Sequence, residues 1–169
     1  MALCPKTNQP EQDVVYTPDE LAKNIWDHYS PQFGKLEKFL EPCRGDGAFY
    51  KLMPKNSDWC EIQEEKDFME YEGNPSWLIT NPPWSKIRQF MEKAFELRTD
   101  NVVFLCNFNA FTTKARLRLL TQWDYSIKEV YCVEAPRNNT WPVQGFQLAA
   151  THIKRNYNGP ITLSGSIGY

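Results

Sequence analysis

The stretch that decides the fold is Phe39-Leu40-Glu41-Pro42-Cys43-Arg44-Gly45-Asp46-Gly47-Ala48-Phe49, which indicates a short strand, a glycine turn and the beginning of a helix. Glycine has no Cβ, so the backbone can approach a ligand closely at such a turn. Around it, apolar runs predict further strands at 59–62, 77–80, 102–106, 127–133 and 146–153. Apolar residues at helical spacing predict helices at 18–30, 85–98 and 112–123. Strands that alternate with helices favour an α/β fold, a mostly parallel sheet with helices on both faces.

The two ends of the chain add detail to this fold. Residues 1–13 are polar and predict a flexible N-terminal arm, and 14–169 read as a single domain. Thr17 has the character of a helix N-cap, with Pro18 at the first helical position and Glu20 three residues after the cap. The last two predicted strands are joined by 134–145, which has no helical pattern. We therefore expect an antiparallel C-terminal hairpin.

Composition excludes several classes of protein. The 169 residues contain five scattered cysteines and two histidines, His28 and His152, which argues against a disulfide framework and against a metal site. No apolar run approaches the roughly 20 residues of a membrane-spanning helix. The first residues have no basic segment followed by an apolar stretch, so we expect no signal peptide. The expected location is the cytoplasm, or the host cytoplasm if a phage encodes the chain.

Charge is unevenly distributed along the chain. The formal net charge is −2, and most of the acidic residues lie in the first eighty positions. The stretch 86–118 is basic, with Lys86, Arg88 and Lys114 among its cations. Such a run is either a solvated helix face or a surface that binds nucleic acid.

The second decisive motif is Asn81-Pro82-Pro83-Trp84, which follows the predicted strand 77–80. An amino group on a base is a poor nucleophile because its lone pair is delocalised into the ring. The side-chain oxygen of Asn81 and the backbone carbonyl of Pro82 could accept hydrogen bonds from both N–H groups and draw the nitrogen toward tetrahedral geometry. Two prolines stiffen the loop, and Trp84 offers a flat face for stacking. A rigid turn that merely closes a strand remains the alternative.

The glycine turn is a weak signal when taken alone. A pyrophosphate-binding fingerprint would have a third glycine where this chain has Tyr50, so such a site is disfavoured. Glu41 and Asp46 would instead suit a cationic cofactor. Glu61, at the end of the next strand, is placed to accept hydrogen bonds from ribose hydroxyls, or is an ordinary solvated glutamate.

Together these motifs resemble those of the amino-methyltransferases that modify DNA, in the order where the cofactor motifs precede the catalytic one. The resemblance covers about residues 14–110. It implies that S-adenosylmethionine is bound by Tyr16, Thr17, Pro18, Glu41, Pro42, Gly45, Gly47, Phe49, Glu61, Asp67, Phe68 and Asn81. It implies that the catalytic residues are Asn81, Pro82, Pro83 and Trp84. It also implies a Rossmann-like methyltransferase fold.

The resemblance further implies the reaction. Asparagine or aspartate as the first catalytic residue is typical of enzymes that methylate N6 of adenine, and tryptophan as the last favours a base over a glutamine side chain. We expect direct transfer without a metal, to DNA in preference to RNA. An RNA adenine methyltransferase and a non-catalytic cofactor-binding subunit of a larger complex remain alternatives.

The chain departs from the family in having no separate target-recognition domain. Recognition would then depend on short loops at 107–114 and 134–145 and on the N-terminal arm. The candidate substrate-binding residues are Trp84, Lys86, Arg88, Lys114, Arg137 and Trp141. We expect nucleic acid as the partner and no membrane, with a homodimer or a partner protein left open as the source of target recognition.

Overall fold

A computed structural model describes residues 15–134 and 147–165 of the chain. The α-helices in these ranges are α1 (Asp19–Tyr29), α2 (Ile87–Glu96) and α3 (Lys114–Gln122). The strands there are β1 (Phe39–Glu41), β2 (Asp58–Trp59), β3 (Trp77–Thr80), β4 (Asn101–Asn107), β5 (Tyr125–Cys132), β6 (Leu148–Arg155) and β7 (Thr162–Gly165). Within the described part of the chain, no helix is long and apolar enough to cross a bilayer.

All seven strands form one sheet in the order β2-β1-β3-β4-β6-β5-β7. β6 is antiparallel to β4 and β5, whereas the other neighbouring pairs are parallel. The predicted mostly parallel sheet and its antiparallel C-terminal pair are therefore confirmed. As a consequence, the carboxyl ends of β1, β3 and β4 lie at the same edge of the sheet.

Side chains of β4 alternate between two hydrophobic cores, as the pleat of a strand requires. Val102, Phe104 and Cys106 pack in the core that contains the apolar residues of α2 and α3. Val103 and Leu105 pack in the core that contains Ala22, Ile25 and Tyr29 of α1. Helices thus cover both faces of the sheet, as predicted.

Three local predictions were wrong. Of the strand predicted at 59–62, only residue 59 lies in β2. The N-cap of α1 is Pro18 rather than Thr17, and no side-chain hydrogen bond from the described residues caps the N-terminus of the helix. The reason is that Pro18 is extended, with ψ of 141°, so the helix begins one residue later. The glycine turn leads only into a short 3-10 helix at Tyr50–Leu52, because Met53 is extended with ψ of 155°. Met53 precedes Pro54, and a residue before proline avoids the α conformation.

The edge strand β7 was not predicted. It pairs with β5 in parallel, yet Leu163 is 68% exposed and Ile161, just before the strand, is 61% exposed. Its residues lack the buried apolar face from which a strand is recognised in a sequence, because β7 is held against β5 by backbone pairing and by a hydrogen bond from the Ser164 hydroxyl to Glu129.

Candidate active site

The glycine turn and the Asn81-Pro82-Pro83-Trp84 motif, here called the proline corner, meet at the carboxyl edge of the sheet. β1 and β3 are parallel neighbours with Leu40 opposite Leu78, so the segments that follow them leave the sheet side by side. The hydroxyl of Thr80 lies 3.5 Å from the backbone oxygen of Cys43, to which it donates. A residue of the glycine-turn stretch and the residue just before the proline corner, 37 positions apart in the chain, are therefore in contact.

Both glycines of the turn have backbone conformations that favour glycine, with φ of +51° at Gly45 and +78° at Gly47. Gly45 is also covered by the N-terminal segment. A Cβ at this position would lie 3.1 Å from Cδ1 of Tyr16, which is tighter than most carbon contacts. Tyr16 and the glycine turn, predicted separately to bind the cofactor, are thus packed together.

Glu41 is buried just before this turn, with 2% of its surface exposed. Loss of hydration raises the pKa of Glu41 to about 9, although the backbone N–H groups of Tyr50 and Phe49 and the Arg44 guanidinium act in the opposite direction. The neighbouring Glu61 adds to the increase. One oxygen of Glu41, Oε2, is buried without a hydrogen-bond partner among the described residues. A buried acceptor without a donor is unfavourable unless a ligand supplies one.

Glu61 connects the end of β2 to the glycine turn. It is 8% exposed, and Oε2 accepts a hydrogen bond from the backbone N–H of Gly45 at 2.8 Å. Oε1 accepts from the backbone N–H of Gln63 at 3.2 Å. A carboxylate oxygen has two lone pairs, so each oxygen can accept one more bond. Its predicted role with ribose stays a prediction.

Three hydrogen bonds order the proline corner. Nδ2 of Asn81 donates to the backbone oxygen of Val15 at 2.9 Å. Nε1 of Trp84 donates to Oδ1 of Asn81 at 3.3 Å. The backbone N–H of Lys86 donates to the carbonyl of Pro83 at 2.9 Å, which closes the turn. Pro82 is buried at its centre.

Four other residues predicted to bind the cofactor differ in how deeply they are buried. Thr17 and Pro18 are half-buried beside Tyr16, and Pro42 is buried. Phe49 is buried in the core beneath α1. Their roles stay predictions.

Asp67 and Phe68 are placed by another 3-10 turn. Oδ1 of Asp67 accepts from the backbone N–H of Met69 at 2.9 Å. The buried ring of Phe68 lies with its centroid 5.2 Å from that of Phe90 on α2. These contacts are internal to the protein, and contact with a cofactor stays a prediction for both residues.

The candidate substrate-binding residues are only partly within the described part of the chain. Lys86 and Lys114 are exposed, and Lys114 lines a groove of about 620 Å³ along α3. Arg88 pairs with Glu92 at 2.9 Å, one turn further along α2. The sites predicted at 137 and 141, Arg137 and Trp141, lie outside the described residues.

Several contacts at this edge had no signal in the sequence. Arg44 lies over the ring of Trp59 at 3.9 Å and pairs with Glu64. Lys66 lies over the same ring at 3.6 Å. Ile62, directly after Glu61, is 64% exposed. The sequence alone did not indicate that the isoleucine next to Glu61, the residue predicted to bind ribose, would be exposed.

The histidines make their contacts within the scaffold. Nε2 of His28 lies 2.7 Å from Oε1 of Glu129. His152 is fully buried, its Nε2 lies 3.1 Å from Oδ1 of Asn101, and burial lowers its pKa to about 3. Among residues 15–134 and 147–165, no group of three or more histidine, cysteine or acidic side chains could hold a metal ion.

The sequence matches no protein-family model and no curated protein. The fold, in contrast, matches solved structures. A candidate RNA methyltransferase from Pyrococcus horikoshii superposes with a TM-score of 0.63 at 16% identity, over 88% of this chain and 92% of that one. A candidate class I S-adenosylmethionine-dependent methyltransferase from Listeria monocytogenes also gives 0.63, at 12% identity, over 94% of this chain and 68% of that one.

A third match is to a larger protein. The modification subunit of a candidate type I restriction enzyme from Vibrio vulnificus superposes with a TM-score of 0.53 at 12% identity, over 88% of this chain and 45% of that one. At these identities the likeness establishes the architecture. The chain has the Rossmann-like fold found in S-adenosylmethionine-dependent methyltransferases.

Proposed function

We propose that this protein transfers a methyl group from S-adenosylmethionine to the exocyclic amino group of a nucleic-acid base, N6 of adenine in DNA. The observation that carries the proposal is the junction of the two motifs. The Val15–Tyr16 segment contacts Asn81 on one side and Gly45 on the other. An acceptor for an amine therefore lies next to a turn suited to a cofactor.

The acidic residues of the turn fit a cationic cofactor. Glu41 has a buried oxygen to which no described residue donates, and the ammonium group or sulfonium of S-adenosylmethionine would favour its ionised form. Glu61 retains lone pairs for ribose hydroxyls. The exposed side chain of Ile62 could pack on the adenine ring and remove apolar surface from water.

When bound, S-adenosylmethionine supplies a methyl group on a positively charged sulfur, which an amine can take directly. Asn81 and the Pro82 carbonyl accept the two N–H groups of the amine. Oδ1 of Asn81 already accepts from Trp84 at 3.3 Å, but a carbonyl oxygen has a second lone pair for the substrate. The chain's part in the reaction is to orient the amine, and the amine gives its proton to water after the transfer.

Trp84 supports a planar substrate. It is half-buried and packs against both hydrophobic cores, which keeps its ring in place. Stacking of a base on such a ring contributes about 1–3 kcal/mol. In duplex DNA the base would first leave the helix, at a cost of a few kcal/mol.

Lys86 and Lys114 suit the phosphate backbone of this substrate, because both are exposed cations near the carboxyl edge of the sheet. Arg88 contributes less charge in this proposal, since it is paired with Glu92. Target recognition would come from loops, from a second copy of the chain or from a partner protein.

The test is to incubate the protein with labelled S-adenosylmethionine and separate pools of DNA and RNA, then digest the product and identify the modified nucleoside. We expect N6-methyladenosine in its deoxy form. Label in the RNA pool would move the substrate to RNA. No label in either pool, with cofactor bound, would favour a non-catalytic subunit.

A variant tests the catalytic assignment. Asn81→Ala removes one of the two acceptors, so transfer should fall by about 100-fold or more, as when a preorganised polar group is lost from other active sites. Cofactor affinity, measured by calorimetry, should stay close to that of the unmodified protein. Asn56→Ala, at an exposed position between the glycine turn and β2, is the matched control. Near-normal transfer by Asn81→Ala would exclude the assignment.

A further inference from the structure

The side chain of Asn81 is held in one orientation. The Val15 carbonyl can only accept a hydrogen bond, and it receives one from Nδ2 at 2.9 Å. The indole N–H of Trp84 can only donate, and it donates to Oδ1 at 3.3 Å. Turning the amide over would place oxygen against oxygen and N–H against N–H, so both contacts select the same orientation.

The Val15 carbonyl, which accepts the hydrogen bond from Nδ2 of Asn81, belongs to a segment that also contacts the glycine turn. Tyr16, next to Val15, packs on Gly45, where a Cβ would lie 3.1 Å from its ring. The segment is anchored behind by α1, whose Ala22 N–H donates to the Pro18 carbonyl at 3.0 Å. The four residues 15–18 thus lie between the glycine turn and the proline corner.

We propose that the backbone carbonyl of Val15 is a positioning group for Asn81, and that the packing of Tyr16 on Gly45 holds this carbonyl in place. The inference rests on the proposed function and deepens it. It connects the glycine turn to the orientation of the Asn81 side chain through the adjacent residues Val15 and Tyr16. It also requires an amide rather than a carboxylate at position 81.

Asn81→Asp separates this inference from a simple effect of charge. If only an acceptor oxygen mattered, the carboxylate would be a stronger acceptor and would suit a cationic cofactor, so activity would be kept or increased. If the Val15 carbonyl positions the side chain, a carboxylate oxygen would face another oxygen at about the 2.9 Å of the present contact. We then expect kcat to fall about 100-fold with little change in cofactor affinity. Normal kcat in Asn81→Asp would overturn the proposal.

A second pair of variants tests the segment. Tyr16→Ala removes the ring from Gly45, and we expect a kcat defect of about tenfold that persists at saturating cofactor because Asn81 loses its fixed orientation. Tyr16→Phe keeps the ring and should rescue most of the loss. Leu36→Ala, at a side chain that is 95% exposed, is the control for an unrelated surface change. A Tyr16→Ala defect that disappears at saturating cofactor would limit Tyr16 to cofactor binding and contradict the coupling.

The orientation has a readout that does not need activity. The side-chain NH₂ signals of Asn81 can be assigned in ¹⁵N-labelled protein by their loss in Asn81→Asp. We expect slow exchange with water in the unmodified protein and faster exchange in Tyr16→Ala. Exchange as fast as that of the exposed Asn56 would overturn the proposal. A protected amide in a protein that methylates nothing would uphold the positioning and contradict the proposed function.

Discussion

Two buried glutamates of this protein have opposite surroundings. Glu129 on β5 is 8% exposed, and its Oε1 accepts from the Ser164 hydroxyl at 2.7 Å and lies 2.7 Å from Nε2 of His28. Glu41 at the end of β1 is 2% exposed, and its Oε2 has no hydrogen-bond partner among the described residues. Both are removed from water, but only Glu129 has its acceptor satisfied by side chains of the scaffold.

The cluster around Glu129 continues in a closed set of contacts. The ring of His28 stacks on Tyr131 at 3.7 Å, and the Tyr131 hydroxyl donates to Asn24 at 2.7 Å. These residues join α1, β5 and β7. Such a cluster stabilises the fold, whereas a buried acid oxygen that the described residues leave without a donor, as at Glu41, lowers stability. Glu129 is thus a structural carboxylate, whereas Glu41 has an oxygen to which no described residue donates.

The largest expected effect is on cofactor binding. Glu41→Gln keeps the shape of the side chain but cannot become negative, so affinity for S-adenosylmethionine should fall about 10- to 100-fold, the usual range for a hydrogen bond to a charged group. Glu129→Gln, the same change in a buried glutamate remote from the glycine turn, should leave affinity unchanged. Calorimetric titration of both variants measures the difference. Equal losses in both would remove the distinction between the two sites.

The next effect is on folding. Glu129→Ala leaves the Ser164 hydroxyl and His28 without their acceptor, so the free energy of unfolding should decrease by about 1–3 kcal/mol. Cofactor affinity of the folded protein should stay the same. Urea unfolding followed by tryptophan fluorescence gives the free energy. An unchanged value would mean that solvent replaces the lost contacts and that the cluster is not structural.

The third effect is on the pH dependence of stability, and it is spread over several pH units. Because the pKa of Glu41 is raised from 4.5 to about 9, the folded state binds its proton more tightly than the unfolded state does. The stabilisation from this proton is complete below pH 4.5 and is lost as pH rises to about 9. The loss is at most about 1.4 kcal/mol per pH unit.

Glu41→Gln removes this titration. In the absence of cofactor, the variant should therefore gain stability relative to the unmodified protein as pH rises from 5.5 to 8.5, measured by urea unfolding at each pH. A constant difference between the two proteins would show that Glu41 has an ordinary pKa in the folded state.

Much of the architecture could be predicted because its signals are local. The apolar strand 77–80 was predicted at its observed bounds, and the apolar spacing of α2 indicated the face that is buried. The helix expected after the glycine turn does not form because Pro54 limits the backbone conformation of Met53, although this signal is present in the sequence. Strand β7 was not predicted for another reason: its pairing depends on the backbone of β5 and not on an apolar pattern of its own.

The candidate site likewise has features that the sequence predicts and features that it does not. The residue types of the glycine turn and of the proline corner were readable in the sequence, and the contact between Thr80 and the Cys43 carbonyl follows from the order of the strands. The pairing of Arg44 with Trp59 and Glu64 was not readable, because a long flexible side chain has many partners within reach. The sequence likewise could not predict that no described residue donates to Oε2 of Glu41, because this depends on the positions of all its neighbours in the folded chain.

The sequence by itself determined the alternation of strands and helices, the turn whose conformation favours glycine and the presence of Asn81 before two prolines. These depend on the conformational preferences and spacing of neighbouring residues. Only the tertiary structure decided that the Val15 carbonyl faces Nδ2 of Asn81, 66 residues further along the chain. The reason is physical: every residue has a backbone carbonyl, so which one meets a given side chain is set by packing and not by residue type.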